Sequence, residues 1–185
     1  RDAGAERVVW ASSTSVYGNA DILPNHEDMP LRPLSPYAAT KAAGEMYARA
    51  LSETAGISVI SLRYYNVFGR RQDPFSPYAA VIPLFVSAML KGERPVIYGD
   101  GEQTRDFVYV ENVADANLKA AFDAPRSASG SAFNIGCGSR ISINQLFNII
   151  AGELGSEIRP EYASARPGDV RDSVRVDVTE RGDIC

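Results

Sequence analysis

A tyrosine and a lysine one helical turn apart, Tyr37 and Lys41, stand in the run Ser35-Pro36-Tyr37-Ala38-Ala39-Thr40-Lys41, about two dozen positions after the serine-rich segment Ser12-Ser13-Thr14-Ser15. Ser35 suits a helix N-cap and Pro36 the first helical position, so Tyr37 and Lys41 fall at i and i+4 on one face. Phenol, ammonium and hydroxyl together could move a proton. A free tyrosine, with a pKa of about 10, is ionised only to roughly 0.1% at neutral pH, so a phenolate base needs about 4 kcal/mol of stabilisation. One cation about 4 Å away, at an effective dielectric of about 20, supplies on the order of 4 kcal/mol, and a cationic cofactor ring would add to it. The spacing alone equally describes a solvated helix pair, so the chemistry depends on the surrounding sequence.

The elements that must position these groups read as α/β. Arg7 to Ser13 (RVVWASS) is a short apolar run suited to a buried parallel strand, and it carries its serines to the carboxyl end, where open α/β sheets place their ligands. A helix from about Pro36 to Ala55 closes at Gly56, and Ile57 to Arg63 (ISVISLR) forms the next strand, giving β-α-β. Past Tyr64-Tyr65-Asn66 the chain enters a Gly, Arg, Asp and Pro-rich loop, then an apolar helix from about Ala79 to Lys91. Short strands are expected at Pro95 to Tyr98 and Arg105 to Val110, an amphipathic helix at Val113 to Asp123, and a strand at Phe133 to Ile135. Ser142-Ile143-Asn144-Gln145 is a capping box for a helix running to about Leu154, with Gly155 as its stop. The expected division is a partial Rossmann-like sheet segment over residues 1–68 and a smaller lobe over 69–185, with a cleft between them.

Composition narrows the function classes. The 185 residues are 45% hydrophobic and 23% charged, with net charge -4, which fits a soluble globular domain. Lys and Arg total 19 against 23 Asp and Glu, which argues against nucleic acid as a partner, and no apolar stretch approaches a membrane span. Cys137 and Cys185 have neither metal-ligand nor disulfide-framework spacing and read as free thiols of a reducing compartment, the cytoplasm. The single histidine, His26, lies in a polar, Pro-flanked stretch and reads as a surface loop residue, so no Ser/His pair is available.

The ordered motifs Ser12-Ser13-Thr14-Ser15-Val16-Tyr17-Gly18, Ser35-Pro36-Tyr37-x-x-x-Lys41 and Leu62-Arg63-Tyr64-Tyr65-Asn66-Val67-Phe68-Gly69 resemble the extended short-chain dehydrogenase/reductases. Gly99-Asp100-Gly101-Glu102-Gln103-Thr104-Arg105-Asp106-Phe107 and Arg166-Pro167-Gly168-Asp169 resemble the nucleotide-sugar-binding lobe of the NAD-dependent UDP-sugar 4-epimerases, and the segments after Phe68 and Tyr78 look most like those acting on UDP-N-acetylhexosamines. The resemblance implies the C-terminal part of a doubly wound parallel sheet plus a smaller α+β nucleotide-sugar-binding lobe. It implies interconversion of UDP-sugars at C4 through a 4-keto intermediate, with NAD as cofactor. Related UDP-sugar decarboxylases and reductases share much of the pattern, and a non-catalytic UDP-sugar-binding fragment is a reading from a different class.

Residue by residue, the resemblance makes Tyr37 the base, Lys41 the residue that orients the nicotinamide ribose, and Ser13 the hydroxyl bonded to the sugar O4, with Tyr64 a further cofactor contact. Thr14 and Ser15 stand where the similar 4,6-dehydratases carry an Asp-Glu pair, which disfavours expulsion of the C6 hydroxyl. Asn66, Ala80 and Val81 match pyrophosphate-holding positions, Tyr98 the aromatic packed on uracil, Arg105 and Arg166 the phosphate clamps, and Asp169 the carboxylate on the uridine ribose. A planar guanidinium suits a bidentate grip on phosphate. Ser173 matches a gatekeeper position that is small in enzymes admitting an N-acetyl group. The glycine fingerprint Gly-x-x-Gly-x-x-Gly of the family is absent from these 185 residues, so the chain resembles the C-terminal half of such an enzyme, and as an isolated piece it is expected to be unstable or to pair. In the full-length parent, the resemblance implies a homodimer through the Tyr37 helix. The expectation for Ser173→Tyr is loss of turnover of N-acetylated sugars with plain hexoses spared, read by product analysis of both substrates; equal loss of both contradicts it.

Overall fold

The computed structural model describes residues 4–20, 22–75 and 80–165, so the expected site residues Arg166, Asp169 and Ser173 lie outside the described residues. The first strand, β1 (Arg7–Ser13), ends in a 3-10 turn, Thr14–Tyr17, capped by the Ser13 side chain. After the loop comes α1 (Pro36–Thr54), with Ser35 as N-cap and Pro36 in its first turn as the sequence requires. Next are β2 (Ser58–Tyr64) and, past a break at Tyr65, β3 (Asn66–Phe68). Then follow α2 (Val81–Leu90), β4 (Val96–Tyr98), β5 (Thr104–Arg105), β6 (Phe107–Tyr109) and α3 (Val110–Leu118), which runs on into a π-helical turn, Lys119–Asp123. The described chain closes with β7 (Ala132–Ile135), β8 (Ile141–Ser142), α4 (Ile143–Leu154) and β9 (Glu161–Ala163).

Three strands, in the order β1-β2-β7, form a parallel sheet, with Ser13 opposite Tyr64 and Tyr64 opposite Ile135. The strand expected at 133–135 thus belongs to the sheet, not to the lobe. Among the described residues, the chain leaves the sheet after β2 and returns to it at β7. The physical reason is burial. Ile60 and Leu62 of β2 and Ile135 of β7 share one apolar cluster with Val113, Ala116 and Ala120 of the α3 segment, so α3 covers the sheet. On the other face, α1 packs on β1 and β2 through Ala48, beside Val59 and Trp10.

The lobe has its own core, in which α2 meets α4 through Phe85 and Phe147, ring centroids 6.0 Å apart and nearly perpendicular, with Ile97, Leu146 and Ile150 around them. Short two-stranded pairings, β3-β6 and β4-β9 parallel and β5-β8 antiparallel, tie the lobe together. The capping box at Ser142 and Gln145 is formed as expected, and Gly155 ends α4 in the left-handed conformation, φ 60°. The single strand expected over 105–110 is two strands, because the chain passes from β8's partner to β3's partner at Asp106.

Candidate functional site

Ser13, Tyr37 and Lys41 are delivered by the carboxyl end of β1 and the first two turns of α1. The Ser13 Oγ accepts from the Ser15 amide at 3.2 Å and the Ser15 hydroxyl at 3.0 Å. Both bonds use its lone pairs, so its own hydrogen can turn to a ligand oxygen. Lys41 Nζ donates to the Ala11 carbonyl at 2.8 Å and lies 5.3 Å from the Trp10 ring centroid and 5.6 Å from that of Tyr37. An ammonium held between two aromatic rings and a carbonyl is fixed in place while keeping two further N–H donors. The Tyr37 side chain is exposed, open to a ligand.

Beneath this surface lies a buried polar network that the sequence reading did not name. Arg63 of β2 and Glu45 of α1, both buried, form a bidentate pair, with Nη2 to Oε2 at 2.7 Å and Nε to Oε1 at 3.0 Å. The Ser12 hydroxyl donates to the same carboxylate. Arg63 Nη1 donates to the Tyr17 hydroxyl at 2.7 Å and to the Glu27 carbonyl at 2.9 Å, and Tyr17 in turn donates to Asn134 of β7 at 2.7 Å. Burial alone would lower the Arg63 pKa, but its bonds to Glu45 and the neighbouring Tyr17 and Glu45 charges outweigh that and hold it above its ordinary value. Burial pushes the Tyr17 phenol up to about 12, against the lowering effect of Arg63. A charge inside the apolar strand ISVISLR and a carboxylate one turn beyond Lys41 were the available signals.

Five of the residues expected to hold substrate, Asn66, Ala80, Val81, Tyr98 and Arg105, line one cleft of about 360 Å³ at the junction of β3 with the lobe. Its floor is apolar, with Phe85, Ile97 and Ile143. Ala80 is the N-cap of α2, makes no side-chain capping bond and lines the cleft with Val81, so the positive end of that helix lies at the cleft. Gln103, also lining the cleft, donates to the Tyr98 carbonyl at 2.7 Å and fixes the end of β4. Ser13, Tyr37, Lys41 and Tyr64 are not among the cleft's lining residues. Tyr64 packs with the α3 cluster, and its hydroxyl donates to Asn117 at 2.9 Å; burial raises its pKa. A larger cleft of about 750 Å³ flanks α1 near Glu27, Glu45 and Phe133 and includes none of the expected site residues.

Residues 1–136 match the model of the NAD dependent epimerase/dehydratase family. The chain is 45% identical to a putative UDP-glucose 4-epimerase of Methanocaldococcus jannaschii over 89% of its own length and 52% of that relative's. A dTDP-glucose 4,6-dehydratase of Streptomyces griseus is 33% identical over 94% of the chain and 52% of the relative. Among solved structures, the UDP-N-acetylglucosamine 4-epimerase from Methanobrevibacter ruminantium M1, in complex with UDP-N-acetylmuramic acid, superposes with a TM-score of 0.88 at 46% identity, covering 95% of this chain and 55% of that one. The chain thus spans about half the length of the proteins it matches.

The buried tyrosine makes a stability prediction. An unfolded chain releases the Tyr17 proton near about 10 whereas the folded chain keeps it to about 12, so unfolding releases a proton in that window and stability falls as pH rises through it. The Tyr17 contribution to the loss is on the order of 2–3 kcal/mol between about pH 10 and 12. Urea midpoints measured across that range should drop in the wild type and drop less in Tyr17→Phe; parallel curves contradict it.

Proposed function

Because the chain belongs to the NAD-dependent epimerase/dehydratase family, we propose that it carries the catalytic trio and the nucleotide-sugar cleft of a UDP-sugar 4-epimerase. The preferred substrates are UDP-N-acetylglucosamine and UDP-N-acetylgalactosamine, with UDP-glucose and UDP-galactose as the alternative pair. The gathering of Asn66, Ala80, Val81, Tyr98 and Arg105 around one cleft carries this reading. An aromatic side chain for a base, an arginine and an uncapped helix start for a diphosphate are the groups a uridine diphosphate requires.

Tyr37 and Lys41 fit the nicotinamide-riboside end of the cofactor, since the Lys41 ammonium is held at the end of β1 with donors to spare and the Tyr37 ring lies beside it. When bound, NAD+ supplies a hydride acceptor for C4 and returns the hydride to it. Ser13 holds the sugar O4, and Tyr37 takes its proton through that hydroxyl, the Lys41 charge favouring the phenolate. The cleft grips the nucleotide at a distance from C4, so the 4-keto sugar can turn about its diphosphate tether without leaving. Thr14 and Ser15 lack a carboxyl group to expel the C6 hydroxyl, which favours epimerisation over the dehydration of the 33% identical relative.

Exposed Met46, Tyr47 and Leu51 on α1 support pairing of this helix with its counterpart in a second copy. A reducing, cytoplasmic setting goes with this reading, since Cys137 and Cys185 have neither metal-ligand nor disulfide-framework spacing. No helix among the described residues is long and apolar enough to cross a membrane.

Incubation with NAD+ and UDP-N-acetylglucosamine deuterated at C4 tests the reading. The expected product is UDP-N-acetylgalactosamine retaining deuterium at C4, with turnover cut by about 10² or more in Tyr37→Phe. A dehydrated sugar, carbon dioxide or net NADH would contradict it, and UDP binding without turnover would make the chain a binding portion that works with a complementary chain.

A further inference from the structure

The cleft has a joint behind it that the proposed chemistry does not use. Asp106 is fully buried, and it stands between Arg105 and Phe107, both of which line the cleft. Its backbone carbonyl accepts both the Asn66 amide at 3.0 Å and the Asn66 side-chain Nδ2 at 3.2 Å. Its carboxylate accepts the Cys137 amide at 2.9 Å and the Gly138 amide at 3.0 Å, one on each oxygen. One residue therefore binds β3, the β5-β6 break and the loop that leaves β7.

A buried carboxylate is costly unless its oxygens are hydrogen-bonded, and charge-assisted bonds from two successive-turn amides are strong and directional. The surroundings are shaped to that group: a Cβ on Gly136 would stand 2.7 Å from Asp106 Oδ2 and 2.8 Å from the Tyr65 ring, so only glycine fits. Gly138 has φ 73°, a left-handed conformation that turns its amide toward the carboxylate. The two amide bonds hold the carboxylate behind the cleft, where it fixes the polypeptide and is not among the residues that line the cleft.

We propose that Asp106 is the positioning residue for diphosphate recognition: by clamping the 137–138 amides with its carboxylate and Asn66 with its carbonyl, it sets the spacing between Asn66 and Arg105 across the cleft. This rests on the reading of the cleft as a UDP site. The uracil side, at Tyr98 and Gln103, hangs on β4 and its pairing with β9, whereas the Asp106 bonds named above run to Asn66 and to the 137–138 amides. Loss of Asp106 therefore separates the two halves of the ligand.

The test is titration of the chain with UDP and, separately, with uridine, followed by NMR, for wild type, Asp106→Asn and Gly136→Ala. Asparagine presents an N–H where one carboxylate oxygen accepted, and the alanine methyl displaces the carboxylate without changing its charge. Both variants should lose at least about tenfold in UDP affinity with uridine affinity within about twofold, because only the diphosphate contacts are disturbed. Equal weakening of UDP and uridine, or a lower melting temperature with both affinities unchanged, would overturn the inference and leave the cleft assignment standing. Failure of the wild type to bind UDP would overturn the cleft assignment and the inference with it. Should Asp106→Asn not fold, the Gly136→Ala ratio decides.

Discussion

The buried pair of Arg63 and Glu45 is the interaction on which the arrangement of Ser13, Tyr37 and Lys41 depends. The face that α1 turns to the sheet is made of Ala38, Ala42, Glu45 and Ala48, a nearly smooth surface. Small side chains let a helix lie close to a sheet, but they specify its position along the strands poorly. A charge pair does so, because two ions removed from water are stabilised only in one geometry, and removing one partner costs about 3–5 kcal/mol. Glu45 takes Arg63 from β2 and the Ser12 hydroxyl from β1 at once, so the helix is registered against both strands. Ser13 is the next residue on one side, and Lys41 is one turn away on the other. The trio inherits its arrangement from that register.

From Arg63 the network continues outward through Tyr17 to Asn134 of β7, and through the Glu27 carbonyl to the loop over residues 18–34. Asn134 is also tied to that loop by its amide to Glu27 and its side chain to the Asn25 carbonyl. The return of the chain to the sheet at β7 is thus fixed by polar contacts on one face and by the α3 cluster on the other. Just past β7, the 136–138 turn meets Asp106, and the lobe is joined to the sheet at the same end that carries Ser13.

The local rules were legible where one residue decides the outcome. Ser35 and Pro36 predicted the start of α1, and Ser142 with Gln145 predicted the start of α4. The grouping of Asn66, Ala80, Val81, Tyr98 and Arg105 followed from motif resemblance, and those residues do share a cleft. What escaped was long-range. Nothing local in Ala132–Ile135 says that it pairs with β2 rather than staying in the lobe, because a four-residue strand carries no record of its partner. The Arg105 to Val110 run reads as one strand because the break at Asp106 is imposed by bonds to Asn66 and to the 137–138 amides, more than 30 residues away on each side. Tyr64 was expected at the cofactor, and its hydroxyl is bonded to Asn117 on α3, a contact that the alternation of the strand alone does not identify.

On the proposed function, the cleft between β3 and the lobe receives a uridine diphosphate while the end of β1 and α1 handles the sugar. Backbone amide shifts of the isotopically labelled chain, recorded while UDP-N-acetylglucosamine is added, test it most directly. Saturable changes are expected at Asn66, Val81, Tyr98 and Arg105, with further changes at Ser13 and Tyr37 that are missing when UDP replaces the nucleotide sugar. Changes confined to the larger cleft beside α1, around Glu27 and Phe133, or identical responses to the two ligands, would contradict it.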